Sequence, residues 1–184
     1  LDSTTTLYIA RHQGYHVTAL IFSYGQRHSK EVLQAKRIAR SAKCDQCLLK
    51  ISLPWKGSAL LDRQQKIPAR RAITSMAHDI PSTYVPSRNI LFLSYAASLA
   101  EAIGAQAIFI GANVRDYSGY PDCRPSFFRN FEKAIRVGTR AGVEGRVIHI
   151  HSPLIRKTKE QIIRLGQKLG VPYHLTWSCY QGGA

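Results

Sequence analysis

The chain has 184 residues, of which 45% are hydrophobic and 20% are charged. These proportions are those of a globular protein with a buried core, and they exclude an intrinsically disordered chain. No run of about eighteen apolar residues occurs, so the sequence offers no candidate for a membrane-spanning helix. Four cysteines are too few for a disulfide scaffold in a chain of this size, and we expect a reducing, cytoplasmic location.

The formal net charge of +15 comes from 26 Lys and Arg residues against 11 Asp and Glu residues. Such an excess favours anionic ligands, among them nucleotides, pyrophosphate, acidic metabolites and nucleic acid. The basic residues are spread along the chain, with only short clusters such as Arg70-Arg71 and Arg156-Lys157. We therefore expect a generally basic, solvated surface, and we do not expect nucleic acid as a partner.

Both ends of the sequence read as the interior of a longer protein. The first residue is Leu1 rather than an initiator methionine, and the last residues, from Gln181 to Ala184, have the composition of a loop. No charged-then-apolar leader occurs within the sequence. We expect further residues before Leu1 and after Ala184.

Apolar periodicity and turn residues divide the chain into alternating helices and strands. Helices are predicted at residues 3–12, 29–42, 89–103, 125–139 and 159–169. Strands are predicted at residues 17–22, 47–51, 107–111 and 147–150. Asp2 or Ser3 is placed to cap the first helix, and Gly104 ends the third. The stretch 53–87 contains four prolines and little periodicity, which is typical of a functional flap.

This alternation predicts an α/β fold in which an open parallel sheet carries helices on both faces. Sheets of this kind bind ligands at the carboxyl ends of their strands. Three polar segments follow a strand or open a helix, namely Asp2-Ser3, residues 23–28 and residues 113–124. We expect these segments to gather at one edge of the sheet and to form an active site.

The first of these segments, Asp2-Ser3-Thr4-Thr5, opens a predicted helix. A helix N-terminus carries unpaired N–H groups and a partial positive charge, and hydroxyl and amide groups there suit a phosphate. A plain capped helix uses the same residue types, so this segment alone leaves both interpretations open.

The segment 118–124 (SGYPDCR) combines two turn residues, an acid, a thiol and a guanidinium. Turn chemistry alone does not require that mixture, which favours a functional site over a structural loop. Arg124 is suited to bind a carboxylate or phosphate with two hydrogen bonds, and Asp122 to accept from an amino-pyrimidine edge. In the segment 81–89 (PSTYVPSRN) two prolines stiffen the approach to a helix that begins near Arg88, and anion binding and packing stay open as its roles.

Four segments together resemble one protein family. They are residues 23–28 (SYGQRH), 81–89 (PSTYVPSRN), 118–124 (SGYPDCR) and 175–180 (LTWSCY). In this order and spacing they are similar to the signatures of the 7-cyano-7-deazaguanine synthase family, and the similarity covers the whole sequence. That family belongs to the PP-loop (adenine nucleotide α-hydrolase-like) ATPases, whose loop reads Ser-Gly-Gly-x-Asp-Ser. Leu1, Asp2 and Ser3 match the last three positions, so the two glycines and the central strand before them lie outside this sequence.

The resemblance implies a PP-loop ATP-binding α/β domain over residues 1–174 and the beginning of a zinc-binding segment over residues 175–184. The implied ATP-binding residues are Leu1, Asp2, Ser3, Thr4, Thr5, Thr6, Leu7, Arg27 and Arg88. Asp2 and Ser3 are also implied in catalysis, with Mg²⁺ beside the phosphates, and Asp122 and Arg124 are implied to hold the deazaguanine acid. Cys179 matches the first of four zinc-binding cysteines, and the other three would follow Ala184.

The implied reaction is the ATP-dependent conversion of 7-carboxy-7-deazaguanine and ammonia to 7-cyano-7-deazaguanine, in queuosine-type nucleoside biosynthesis, by a homodimeric enzyme. One alternative is another PP-loop adenylating enzyme that acts on tRNA, such as a thiolase or a lysidine synthase. A non-catalytic nucleotide- or RNA-binding module is the alternative from a different class.

Several other residues are of types that often bind metals or ligands, but they form no motif. Cys44 and Cys47 have zinc or redox spacing, but no second pair accompanies them and we interpret them as incidental. His149 and His151 lack a third ligand and are interpreted as ordinary strand-end residues. For His28 nucleotide contact and loop anchoring both stay open, and for Trp55 and Trp177 packing is favoured over the covering of a base.

Overall fold

A computed structural model describes residues 1–25, 30–53, 58, 80, 83–113 and 119–177. Its helices are α1 (Asp2–His12), α2 (Lys30–Ser41), α3 (Arg88–Ile103), α4 (Pro125–Gly138), α5 (Arg140–Val143) and α6 (Lys159–Lys168). Its strands are β1 (Thr18–Ser23), β2 (Asp45–Lys50), β3 (Ala107–Phe109) and β4 (His149–His151), and short 3₁₀ turns cover Pro121–Cys123 and Tyr173–Leu175. Each predicted helix and strand is present, with ends shifted by at most two residues.

The strands pair in parallel, as the alternation with helices predicts. β1 pairs with β2 from Thr18↔Asp45 to Ser23↔Lys50, and β3 pairs with β4 from Ala107↔His149 to Phe109↔His151. Parallel neighbours need a crossover connection, and α2 supplies it between β1 and β2, on which it packs. The mixed α/β class with parallel strands is therefore confirmed.

The expected single sheet is present as two separate pairs within the described residues. The strands β1 and β3, which do not pair with each other, both line a cavity of about 1440 Å³. Helices α1, α2 and α3 also contribute to its wall. This central cavity places the first turn of α1 beside the residues that follow β3.

The core lies on both sides of the β3–β4 pair. One cluster joins α3 to α4 through Leu93, Ala112, Cys123 and Phe128, and a second joins α1 to α6 through Ile9, Leu154 and Ile162. In α4 the apolar face is buried, while Arg129, Lys133 and Arg136 are exposed on the opposite face. No helix within the described ranges is long and apolar enough to cross a membrane.

The start of α1 differs from the prediction that Asp2 or Ser3 caps it. Leu1 occupies the N-cap position without a side-chain cap, and Asp2 is already the first helical residue. The Asp2 carboxylate bonds to the distant side chains of Asn113 and Lys159. The end of α3 agrees with the prediction, because Gly104 adopts a left-handed conformation with φ 69°.

Candidate active site

The site is built around the first turn of α1, which lies against the chain that leaves β3. A Cβ atom on Gly111 would stand 2.9 Å from the Ser3 nitrogen and 3.0 Å from the Ser3 Cα, so only glycine allows this backbone approach. The first intrahelical hydrogen bond is donated by the Thr5 N–H to the Leu1 carbonyl at 3.0 Å. The N–H groups of the preceding residues therefore have no carbonyl of α1 to bond to, as at any helix start.

Asp2 is held by donors from two other parts of the chain. Asn113 Nδ2 donates to Oδ2 of Asp2 at 3.3 Å, and the Lys159 ammonium forms an ion pair with the same oxygen. Oδ1 of Asp2 is buried and accepts no hydrogen bond from the described residues. A buried carboxylate oxygen without a donor is an available ligand for a hard cation.

The threonines after Ser3 are buried at 5%, 0% and 3% exposure for Thr4, Thr5 and Thr6. The Thr5 hydroxyl bonds to the Leu1 carbonyl at 3.0 Å and to the Tyr173 hydroxyl at 3.1 Å. Thr5 therefore connects α1 to the 3₁₀ turn Tyr173–Leu175. The Thr6 hydroxyl has no hydrogen-bond partner within the described ranges. Thr6 lines the central cavity, whereas Thr5 does not.

The central cavity brings together most of the residues expected to bind ATP. Leu1, Asp2, Ser3, Thr4, Thr6, Leu7 and Arg88 all line it. Arg88 is the first residue of α3, and its Cζ lies 6.0 Å from the centre of the Phe92 ring. Phe92 stacks on Phe22 at 3.9 Å, and Trp177 also lines the cavity.

The segments 83–89 and 119–124 are joined to each other. The Thr83 hydroxyl lies 2.7 Å from the Tyr120 hydroxyl, and the rings of Tyr84 and Tyr120 are stacked with centroids 6.1 Å apart. Asn89 N–H donates to Oδ2 of Asp122 at 2.9 Å. The Asp122 carboxylate, 4% exposed, thus bonds to a backbone N–H group in the first turn of α3.

The neighbours of Asp122 differ in their surroundings. The Asn89 side chain donates to the Cys123 sulfur at 3.0 Å, and Cys123 is buried. Arg124 occupies the N-cap position of α4 and is exposed. A guanidinium in that position is accessible to a ligand in a way that the buried Asp122 is not.

Several predicted residues lie outside the described residues, namely Arg27, His28, Trp55, Ser118 and Cys179. Among the described cysteines, burial raises the pKa of the Cys44 thiol, with Arg11 opposing that effect. A protonated thiol is a poor metal ligand. His149 lies 3.5 Å from Glu132, whose other carboxylate oxygen accepts the Ile150 N–H.

Sequence reasoning missed Lys159 and Gly111 as parts of this site. A signal for Lys159 was available, because a lysine in the first turn of a helix opposes the helix dipole and calls for another role. Gly111 carried a weaker signal, as a glycine directly after a predicted strand. Neither signal indicates which residue is the contact partner, because Lys159 and Asp2 are 157 positions apart in the sequence.

A family model described as "Queuosine biosynthesis protein QueC" matches residues 1–184. The chain belongs to this family. Similar curated proteins of the family carry the name 7-cyano-7-deazaguanine synthase. The one from Anaeromyxobacter sp. is 49% identical over 182 residues, which are 98% of this chain and 78% of that protein. Those from Cyanothece sp. and Thermoplasma acidophilum are 50% and 49% identical, cover 100% of this chain, and are themselves covered to 81% and 76%.

Among solved structures, the fold is similar to that of the U34-tRNA thiolase NcsA from Methanococcus maripaludis with its [4Fe-4S] cluster. The TM-score is 0.53, and the match covers 97% of this chain and 57% of the thiolase. The sequence identity is 11%, so this likeness concerns the fold alone. The thiolase fold supports the α/β class of this QueC-family chain.

Proposed function

We propose that this QueC-family protein is an ATP-dependent 7-cyano-7-deazaguanine synthase. The observation that carries the proposal is the start of α1, where Asp2 and Ser3 lie against Gly111 just after β3, in a chain about half identical to named synthases. An adenylating PP-loop enzyme that acts on tRNA is not favoured, since its support is a likeness of fold at 11% identity.

The chemistry requires activation, because a carboxylate is a poor electrophile. The acid oxygen of 7-carboxy-7-deazaguanine attacks the α-phosphorus of ATP, which forms an acyl-adenylate and releases pyrophosphate. Ammonia attacks the acyl carbon and displaces AMP, which gives the amide. The amide oxygen then attacks the α-phosphorus of a second ATP, which releases a second pyrophosphate and forms an adenylated amide. Loss of AMP and two protons from that intermediate leaves the nitrile.

The chain's own residues would contribute position and charge rather than a nucleophile. The N–H groups of Ser3 and Thr4 at the start of α1 suit the phosphate oxygens, and they need no reorganisation to do so. Arg88, which lines the same cavity, is proposed as a cationic helper, and Arg27 is proposed in the same role from the family resemblance. The aromatic pair Phe22 and Phe92 offers a flat surface for a base.

Mg²⁺ fits the donor set of this site. Oδ1 of Asp2 is a buried carboxylate oxygen that accepts no hydrogen bond from the described residues, and such an oxygen together with ATP phosphates is a usual magnesium environment. Bound there, the ion would neutralise charge that develops on the phosphates during adenylation. Asp2 would hold the ion, and Ser3 would bind phosphate beside it.

For the deazaguanine acid we propose Arg124 and Asp122. Arg124 is exposed and can pair with the carboxylate through two parallel N–H···O bonds. Oδ2 of Asp122 already accepts the Asn89 N–H, so any contact with the base would use the other oxygen. Use of free ammonia, a homodimeric state and a cytoplasmic location complete the proposal and follow from the family resemblance.

The deciding experiment incubates the protein with 7-carboxy-7-deazaguanine, ammonia and Mg-ATP. We expect the nitrile by mass spectrometry, with AMP and pyrophosphate formed only when the acid is present. Formation of ADP and phosphate in place of AMP and pyrophosphate would show that attack is not on the α-phosphorus. Absence of the nitrile under these conditions would overturn the proposed function.

A further inference from the structure

Lys159 stands at a position where helix stability alone disfavours a cation. It is the first residue of α6, whose start is fixed by a capping box between Thr158 and Gln161, each bonded to the backbone N–H of the other. The partial positive charge at a helix N-terminus repels an ammonium group. The presence of a lysine here therefore needs an explanation outside the helix.

The Lys159 ammonium bonds to Oδ2 of Asp2, the same oxygen that accepts from Asn113. Two donors thus share one oxygen of Asp2, while its Oδ1 accepts none from the described residues. The side chains of Lys159 and Asp2 are 38% and 24% exposed, so the pair is not sealed in the core. A ligand can reach the ammonium without unfolding the site.

The ion pair lies on the wall of the central cavity, where Asp2, Ser3, Thr6 and Lys159 meet. The Thr6 side chain is 3% exposed, yet its hydroxyl has no hydrogen-bond partner within the described part of the chain. The first residues of two helices, α1 and α6, also come together here. The partial positive charges of two helix N-termini and the charge of one ammonium together exceed the negative charge of one carboxylate. This end of the cavity therefore suits an anion with several oxygens.

We propose that Lys159 is a pyrophosphate-binding residue that Asp2 holds in position until a nucleotide arrives. On binding, the ammonium transfers its hydrogen bond from Oδ2 of Asp2 to a phosphate oxygen, and Oδ2 then becomes available, together with Oδ1, to a divalent cation. The exchange keeps both charges paired in the empty and in the occupied site. This inference rests on the proposed function, because it adds a residue to the proposed ATP site.

Titration calorimetry with inorganic pyrophosphate, in the absence of divalent metal, isolates the contribution of the lysine. We expect Lys159→Met to weaken binding by about ten- to a hundredfold, as for the loss of a hydrogen bond between charged groups. Lys168→Met is the matched control, since Lys168 is an exposed lysine in the last turn of the same helix. Equal effects of the two substitutions would overturn the proposal.

Asp2→Asn separates this role from that of a merely structural ion pair. If Asp2 restrains Lys159, the asparagine frees the ammonium and removes a negative charge, so metal-free pyrophosphate should bind more tightly than to the wild type. The double variant Asp2→Asn/Lys159→Met should lose that gain. A purely structural pair predicts weaker binding for Asp2→Asn, and that result would overturn the proposal.

The failure of this inference can be distinguished from failure of the proposed function. A wild-type protein that makes the nitrile, while Lys159→Met binds pyrophosphate as the wild type does, would exclude only the role of Lys159. A wild-type protein that makes no nitrile would overturn the proposed function, whatever the pyrophosphate measurements show.

Discussion

Because Gly111 has no Cβ atom, the chain that leaves β3 can approach the backbone of α1 closely. An added Cβ would lie 2.9 Å from the Ser3 nitrogen, and the contact is with backbone rather than with a flexible side chain. We expect Gly111→Ala to lower the unfolding free energy by about 1–3 kcal/mol, the usual cost of overpacking. For a domain of this size that corresponds to a fall in Tm of roughly 2–4 °C per kcal/mol.

The matched control is Gly138→Ala, at the end of α4, where an added Cβ meets nothing within 4 Å. It should leave Tm unchanged or raise it slightly, because alanine restricts the unfolded chain more than glycine does. Thermal unfolding of both variants tests the close approach. Equal Tm values for the two would mean that α1 and the residues after β3 are not in contact.

Arg124 differs from the other predicted site residues because its guanidinium is exposed at the start of α4. We expect Arg124→Ala to weaken binding of the carboxylate substrate by roughly ten- to a hundredfold, since a hydrogen bond to a charged group contributes about 1.5–3 kcal/mol. Binding of ATP should change much less. Separate titrations of the two ligands provide the measurement.

Arg129→Ala is the control for Arg124, because Arg129 is also exposed and lies one turn further along α4. It should leave both affinities unchanged. An equal loss of both ligands in Arg124→Ala, or no loss of either, would contradict the assignment and make residues 119–124 a structural turn.

At the scale of single elements, α3 depends on a carboxylate supplied from another segment. Asp122 accepts the Asn89 N–H at 2.9 Å, and both residues are buried. Asp122→Ala leaves that N–H unsatisfied, so we expect a loss of about 1–3 kcal/mol in unfolding free energy, measured by urea denaturation. Asp122→Asn keeps an oxygen acceptor and should lose less. Equal losses in the two variants would show that the bond to Asn89 does not stabilise α3.

The bounds of the elements followed from local signals, whereas the error at the start of α1 has a distant cause. Apolar periodicity located α2 and α6, and Gly104 marked the end of α3. The predicted cap at Asp2 was wrong, because a carboxylate's preference for its own helix start was outweighed by Lys159 and Asn113. That competition is invisible in the sequence around residue 2, since both partners are more than a hundred positions away.

At the scale of the whole molecule, the order of elements predicted parallel pairing but not the arrangement of the pairs. The pairing of β1 with β2 and of β3 with β4 follows from the helices between them. The position of one pair beside the other depends on contacts such as the stacking of Phe22 in β1 on Phe92 in α3, which packs on β3, and no periodicity encodes these contacts. Contacts between elements also form the central cavity. The residue types of the site were predictable from the sequence, whereas the pairing of Asp2 with Lys159 was not.

A last prediction concerns zinc, which the family resemblance implies at Cys179 and not at Cys44 and Cys47. Structural zinc takes four protein ligands in a tetrahedron, and each cysteine must bind as a thiolate. Cys44 and Cys47 belong to no group of three or more potential metal ligands among the described residues, which argues against the short-spaced pair. We expect the full-length protein to bind zinc, and Cys179→Ser to lose it with a lower Tm, because such a site contributes folding free energy. The Cys44→Ser/Cys47→Ser double variant should keep its zinc in elemental analysis, whereas zinc lost there but retained in Cys179→Ser would make the pair the metal centre.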